Sequence, residues 1–176
     1  MKSHCIIFLT CTILILSVIG IGLPKKESTE YLRIHIRANS NSQIDQEVKY
    51  SVKEKIVNYL TPILAECKTK KNAEVELTKN LDKIEEIADK VLLEKGYNYL
   101  SNAKINNEKF PTRTYGNLTL ESGYYDALII ELGEAKGENW WCVVYPPLCF
   151  VEGDGAVYYR SKLLEVINEF IKPKEK

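Results

Sequence analysis

The sequence predicts an α+β fold: a mainly antiparallel sheet of about four to five strands packed against two long amphipathic helices, plus a C-terminal helix. Apolar residues recur at three- and four-residue spacing over residues 43–63 and again over 73–95, as in a helix that buries one stripe. From Tyr97 to Tyr145 the period shortens to that of strands, in runs separated by Gly, Pro and Asn. A last stripe, Leu163, Leu164, Val166, Ile167, Phe170 and Ile171, restores the helical period before the charged tail Lys172 to Lys176.

At the N-terminus, Lys2 precedes a nearly unbroken apolar run from Cys5 to Leu23. Gly20 and Gly22 close it in the manner of a secretory signal cleaved after Gly22. The run is also at the lower limit for spanning a bilayer of about 30 Å, so residues 1–23 read as a signal peptide or an N-terminal membrane anchor. Cys11 is a poor lipidation site, because Phe8-Leu9-Thr10 fits a lipidation box badly. Either reading makes residues 24–176 a single domain outside the cytoplasm, long enough to bury about 68–70% of its unfolded surface.

Within that domain, Glu30 to Ala38 alternates, with Leu32, Ile34 and Ile36 on one face and Arg33, His35 and Arg37 on the other: a half-buried strand. Asn39-Ser40-Asn41-Ser42 stops it. Ser42 and Asp45 predict a capping box, each side chain satisfying the other's backbone amide, with a helix from about Gln43. Its stripe is Ile44, Val48, Val52, Ile56, Tyr59, Leu60 and Ile63, and Pro62, lacking an amide, must kink or end it. After a basic link, Lys68 to Lys71, a second helix over about 73–95 is carried by Leu77, Leu81, Ile84, Ile87, Ala88, Val91 and Leu92. Gly96 suits the left-handed position that ends it.

Strand-like runs cover Tyr97 to Phe110, Arg113 to Leu120, Tyr124 to Gly133 and Asn139 to Tyr145. The first, with Asn102, Asn106 and Asn107, is too polar for a central strand and belongs at an edge. Ala127 to Leu132 reads as a central strand covered on both faces, and Gly133 to Gly137 as a tight hairpin toward Trp140. Asp154-Gly155 marks a turn, and Ser161 caps the last helix.

Composition bounds the function. The chain has 176 residues, 45% hydrophobic and 27% charged, which excludes a disordered or collagen-like chain, and its 5 cysteines are too few for a cysteine-dense scaffold. With 24 basic against 24 acidic side chains and no basic cluster beside stacking aromatics, it is not a dedicated nucleic-acid binder. His35 is the one imidazole beyond the apolar run, and no oxyanion motif or orienting group accompanies it, so it reads as a surface or edge-strand histidine. Glu85-Glu86, Glu131 and Glu134 fall on solvated helix faces and hairpins, which ranks a glycosidase pair low. Gly133 and Gly137 make no phosphate loop, no His/Cys spacing makes a metal site, and the sequon Asn117-Leu118-Thr119 carries no weight. No catalytic set, cofactor or metal is expected.

Residues 137–150 concentrate both tryptophans, Trp140 and Trp141, with Tyr145, Pro146, Pro147 and two cysteines. If the chain folds back at Tyr145-Pro146, Cys142 and Cys149 face each other at disulfide distance; the alternative is two reduced, buried thiols. Cys67 is left as the odd thiol, on or just after the first long helix. On a strand, Trp140 and Trp141 point to opposite faces, so one is core and the other an interface anchor.

Three segments then carry a resemblance: Leu32-Arg33-Ile34-His35-Ile36-Arg37-Ala38-Asn39-Ser40-Asn41-Ser42 with Asp45-Gln46, Phe110-Pro111-Thr112-Arg113-Thr114-Tyr115-Gly116, and Gly137 through Phe150. In this order, over nearly all of residues 30–152, they resemble the stage II sporulation protein R family. The resemblance implies a secreted signalling protein of endospore formers, made in the forespore and exported to the space between forespore and mother cell. There it activates a membrane-embedded aspartic protease that processes the sigma-E precursor, and it catalyses nothing itself. The expected contact surface joins Arg33, His35, Arg37 and Asn39 to Trp140 or Trp141 and Tyr145. The plainer alternative is that Asn39 to Ser42 only cap a helix and that Pro111 and Gly116 only shape turns. An exported cell-wall or glycan-binding module is the other function class, in keeping with export and 11 tyrosines.

Overall fold

The computed structural model describes residues 30–116, 118–150 and 160–171. Residues 1–23 and the expected Asp154-Gly155 turn lie outside them, and among the described residues no helix is long and apolar enough to cross a membrane. In chain order the elements are β1 (Leu32–Arg37), α1 (Gln43–Ala65), α2 (Lys70–Lys79), α3 (Leu81–Glu94), β2 (Ser101–Phe110), β3 (Arg113–Tyr115), β4 (Leu118–Leu120), β5 (Gly123–Leu132), β6 (Asn139–Tyr145), a 3₁₀ turn (Leu148–Phe150) and α4 (Arg160–Ile171).

The α+β class holds, with one change of topology. The main sheet has the order β2-β5-β1-β6, and β3 pairs with β4 in a separate small ribbon. β2–β5 and β1–β6 are antiparallel, but β1 and β5 run parallel, Ile34 opposite Leu128 and Ile36 opposite Ile130. β1 is thus a central strand, bonded on both sides. The expected hairpin at Gly133 to Gly137 is not one: β5 and β6 flank β1 instead of pairing, and this segment crosses the end of β1. The Gly137 and Lys136 amides donate to the Ala38 and Asn39 carbonyls at 2.9 and 3.1 Å. Both glycines are needed here. A Cβ on Gly137 would lie 2.2 Å from the Ser40 carbonyl oxygen, and Gly133, at φ +56°, would meet the Asn39 side chain at 2.4 Å.

One face of the sheet carries Leu32, Ile34, Ile36, Leu128, Ile130 and Val144 against α1 and α3, all fully buried. β2 is the polar edge that its asparagines predict, and helix carboxylates cap its outward amides: Asp89 accepts from the Ser101 amide and Glu85 from the Ala103 amide, both at 2.6 Å. Such a cap blunts an otherwise open strand edge.

The helices depart from expectation at two points. The predicted 73–95 helix is two, α2 and α3, broken at Asn80, whose amide group donates to the Glu76 carbonyl at 2.7 Å while its oxygen accepts from Tyr59. A side chain that bonds its own backbone competes with the helical ladder. Only half of the capping box forms. Ser42 Oγ accepts from the Asp45 amide at 3.3 Å, but the Ser42 amide donates to Ser40 Oγ at 3.1 Å, because the Asp45 carboxylate is taken by Asn39, Ser40 and Tyr99. α1 runs three residues past Pro62 before it ends, and Gly96 takes φ +82° after α3 as expected. The Arg113 to Leu120 run folds into the β3–β4 ribbon around Gly116 at φ +58°.

Candidate functional site

The second face of the sheet carries the alternate residues of the same strands, and its own buried cluster, Phe110, Tyr125, Ala127 and Ile129, is flanked by Tyr31 and Trp141. From β1 come Arg33, His35 and Arg37. Register brings Ala127, Ile129 and Glu131 of β5 beside them on one side and Val143, Trp141 and Asn139 of β6 on the other. β2 adds Lys104, Glu108 and Phe110.

The alternation assigns these residues to the right face, but the expectation that Arg33 and His35 point into solvent fails: both are 0% exposed. Phe110, Tyr125 and Trp141 pack over them, and Tyr115 reaches across from β3. Arg33 donates from Nε to the Cys142 carbonyl at 3.0 Å and from one terminal nitrogen to the Tyr115 hydroxyl at 2.9 Å. Its guanidinium carbon lies 4.6, 4.9 and 5.6 Å from the ring centres of Phe110, Tyr125 and Tyr115. Burial lowers its pKa, against the attraction of, and the bond it donates to, the Tyr115 hydroxyl.

His35 packs 4.9 Å from the Trp141 ring and edge-on to Phe110 at 5.5 Å, with Nε2 3.0 Å from the Glu108 carboxylate. Desolvation is the largest influence on its titration and lowers its pKa; Arg37 acts in the same sense, and Glu108 opposes both without overcoming them. Neutral His35 therefore donates from Nε2–H to Glu108 and leaves Nδ1 as an acceptor. Arg37, half-buried, completes the array: it donates to Glu108 at 3.3 Å, to Glu131 at 3.1 Å and to Asn139 Oδ1 at 3.3 Å, and Lys104 pairs with Glu131 at 2.7 Å. The result is a charge-balanced lattice at one end of the face and a caged cation at the other.

The other expected contact residues lie elsewhere. Asn39 belongs to the knot at the end of β1, donating to Asp45 at 2.9 Å and accepting from the Glu134 amide at 2.9 Å. In the same knot Lys49, also buried, donates to Gln46 Oε1 and to the Glu138 carbonyl at 3.0 Å. Trp140 and Tyr145 lie on the helix-covered face, where the Tyr145 hydroxyl donates to the Lys68 carbonyl at 2.7 Å and its ring packs on Phe170. Trp140 and Trp141 do take opposite faces, as a strand requires, and both are half-buried. Cys142 and Cys149 are bonded, Cα atoms 6.4 Å apart, but Cys149 sits on the 3₁₀ turn after Pro147 and not on a facing strand. Cys67 is a buried free thiol, its pKa raised by burial and then by Glu76 and Glu66.

The expected set omits Glu108, which anchors the lattice, and Phe110, Tyr115 and Tyr125, which build the cage. Two signals for them stand in the sequence: Glu131 interrupts the apolar run of β5, and Phe110 and Tyr115 belong to the second motif. Chemically the face offers hydrogen-bond donors and aromatic surface for recognition. Among the described residues no group of three or more His, Cys, Asp and Glu is placed to hold a metal ion.

Comparison with known proteins fits this picture to a family. A family model described as stage II sporulation protein R matches residues 28–154, which span the sheet, α1 to α3 and all three motifs. Stage II sporulation protein R of Bacillus subtilis (strain 168) is 31% identical over 151 residues, covering 79% of this chain and 67% of the relative. No solved structure matches. The chain belongs to the stage II sporulation protein R family.

Proposed function

We propose that this chain is a secreted sporulation signal that activates a membrane-embedded aspartic protease and so triggers processing of the sigma-E precursor in the mother cell, without chemistry of its own. The match over residues 28–154 carries the reading, since it takes in the whole described sheet and gives the protein its sporulation role. The burial of the second face supports a ligand over a catalyst: His35 is fully buried, walled by Phe110 and Trp141, and out of reach of a substrate in solution. Residues 1–23 carry the chain to the membrane, and residues 24–176 act in the space between forespore and mother cell. A ligand activates such a protease by binding its active arrangement better than its resting one.

The test is co-expression of the full chain, the protease and the sigma-E precursor in a bacterium that does not sporulate, with precursor cleavage scored on a blot. Cleavage that depends on this chain is the expected outcome. Its absence, with all three proteins present and the chain exported, overturns direct activation, and retention on purified peptidoglycan then favours the wall-binding class.

A further inference from the structure

We propose that Arg33 and His35 form a buried site for a carboxylate supplied by a protein partner, closed in this structure by Phe110 and Tyr115. The proposal rests on the reading of the chain as a protein ligand only for the source of that carboxylate.

Arg33 is a permanent cation, fully buried, and among the described residues none of the ion pairs includes it. Desolvating a guanidinium is costly unless a counter-charge comes with it. The three rings around it offer their negative faces but no formal charge, and the charged side chain that bears on it is another cation, Arg113. Its remaining terminal nitrogen has no hydrogen-bond partner, and neither does His35 Nδ1. Both residues lie on the same face of β1, two positions apart, and both abut the ring of Phe110. The contrast with Arg37 is internal: the same strand face provides that arginine with Glu108 and Glu131.

A carboxylate supplies what is missing. One oxygen accepts from the free Arg33 nitrogen; the other accepts from His35 Nδ1–H once the ring has taken up a proton, Nε2–H staying on Glu108. The groups that set this proton uptake are Arg37 on β1, Glu108 and Lys104 on β2 and Glu131 on β5, with Trp141 and Asn139 facing from β6. Binding that takes up a proton strengthens as pH falls. A planar, singly charged carboxylate also suits an aromatic-walled slot better than a phosphate, which brings more charge to desolvate.

The test uses the full chain in detergent with Trp140→Phe, so that Trp141, stacked on His35, reports alone. Sodium acetate is titrated against sodium chloride at equal ionic strength. The expected result is a saturable change in Trp141 emission that tightens by about threefold or more between about pH 7.5 and pH 6, is abolished in Arg33→Met, and loses its pH dependence in His35→Gln. Arg33→Met that melts close to its parent identifies the cation as a binding group; if it fails to fold, the parent titration decides alone. No saturable response beyond chloride overturns the site, and phosphate binding tighter than acetate overturns the carboxylate assignment. A parent chain that responds to acetate yet triggers no precursor cleavage separates failure of the signalling reading from failure of the site.

Discussion

Asp45, in the first turn of α1, is the most heavily used side chain around the loop that follows β1. Burial alone would raise its carboxyl, but bonds from Ser40 at 2.6 Å, Asn39 at 2.9 Å and Tyr99 at 2.7 Å outweigh burial and hold it below the ordinary carboxylate range. A depressed folded value means that the unfolded chain takes up the proton first, so this stability is present above about pH 4 and lost as pH falls through the folded value. Asp45→Asn is expected to cost about 2 kcal/mol at neutral pH and to flatten the fall of stability in acid, measured by urea unfolding at several pH values. His35 obeys the same sign at a higher pH. Its folded value is lowered, so its contribution is whole above about pH 6.5 and declines as pH drops toward that folded value. His35→Gln should remove this decline from a series of thermal melts between about pH 7.5 and pH 5. Alternation placed both β1 polar residues on the correct face, yet it cannot say whether water lies there. The rings that bury Arg33 come from Phe110, Tyr115 and Tyr125, far along the chain.

Among the elements, strand positions were legible to within about four residues, with the Arg113 to Leu120 run splitting into two short strands, whereas partners were not. Asn139 to Tyr145 matches β6 in full, and the polar edge and the apolar central strand are both where composition put them. A glycine-bounded segment of the length of 133–137 serves a hairpin or a short crossover equally well, and only the Asn39 and Ala38 carbonyls, waiting at the end of β1, decide it. The Asn80 break was hidden for a related reason: its neighbours keep the helical stripe, and the interruption comes from the Asn80 side chain, which bonds the Glu76 carbonyl and Tyr59. Gly137→Ala drives a methyl into the Ser40 backbone and is expected to destabilise by more than about 2 kcal/mol, read from a denaturant midpoint. At the opposite edge, Glu85→Ala frees the Ala103 amide. The expected outcome is a loss of about 1 kcal/mol with a shift to larger species in light scattering, since an uncapped edge is open to a second chain.

For the molecule as a whole, the two faces divide the labour. The helix-covered face holds the fold, together with the knot of Asn39, Ser40, Asp45, Lys49 and the two glycines, so part of what the family motifs encode is architecture. The second face, with a smaller core cluster of its own, holds the two buried side-chain atoms without a hydrogen-bond partner among the described residues, on Arg33 and His35. The disulfide ties β6 to the 3₁₀ turn, closing a loop of about 8 residues, for which chain entropy gives about 2.5 kcal/mol. Reduction should lower the melting temperature, and Cys142→Ser with Cys149→Ser should match the reduced protein in a calorimetric scan.

The placement of β1 also fixes when the protein can exist. The first of the described strands lies inside the sheet, and its partners, Leu128 and Cys142 for Ile34, are delivered about a hundred residues later. A chain emerging N-terminus first holds Leu32, Ile34 and Ile36 bare until β5 and β6 follow. The contacts that close the sheet join residues about a hundred positions apart, a topology that slows assembly. The face that carries Arg33 needs β2, β5 and β6 around β1, so it comes into being only once Tyr145, at the end of β6, has been delivered.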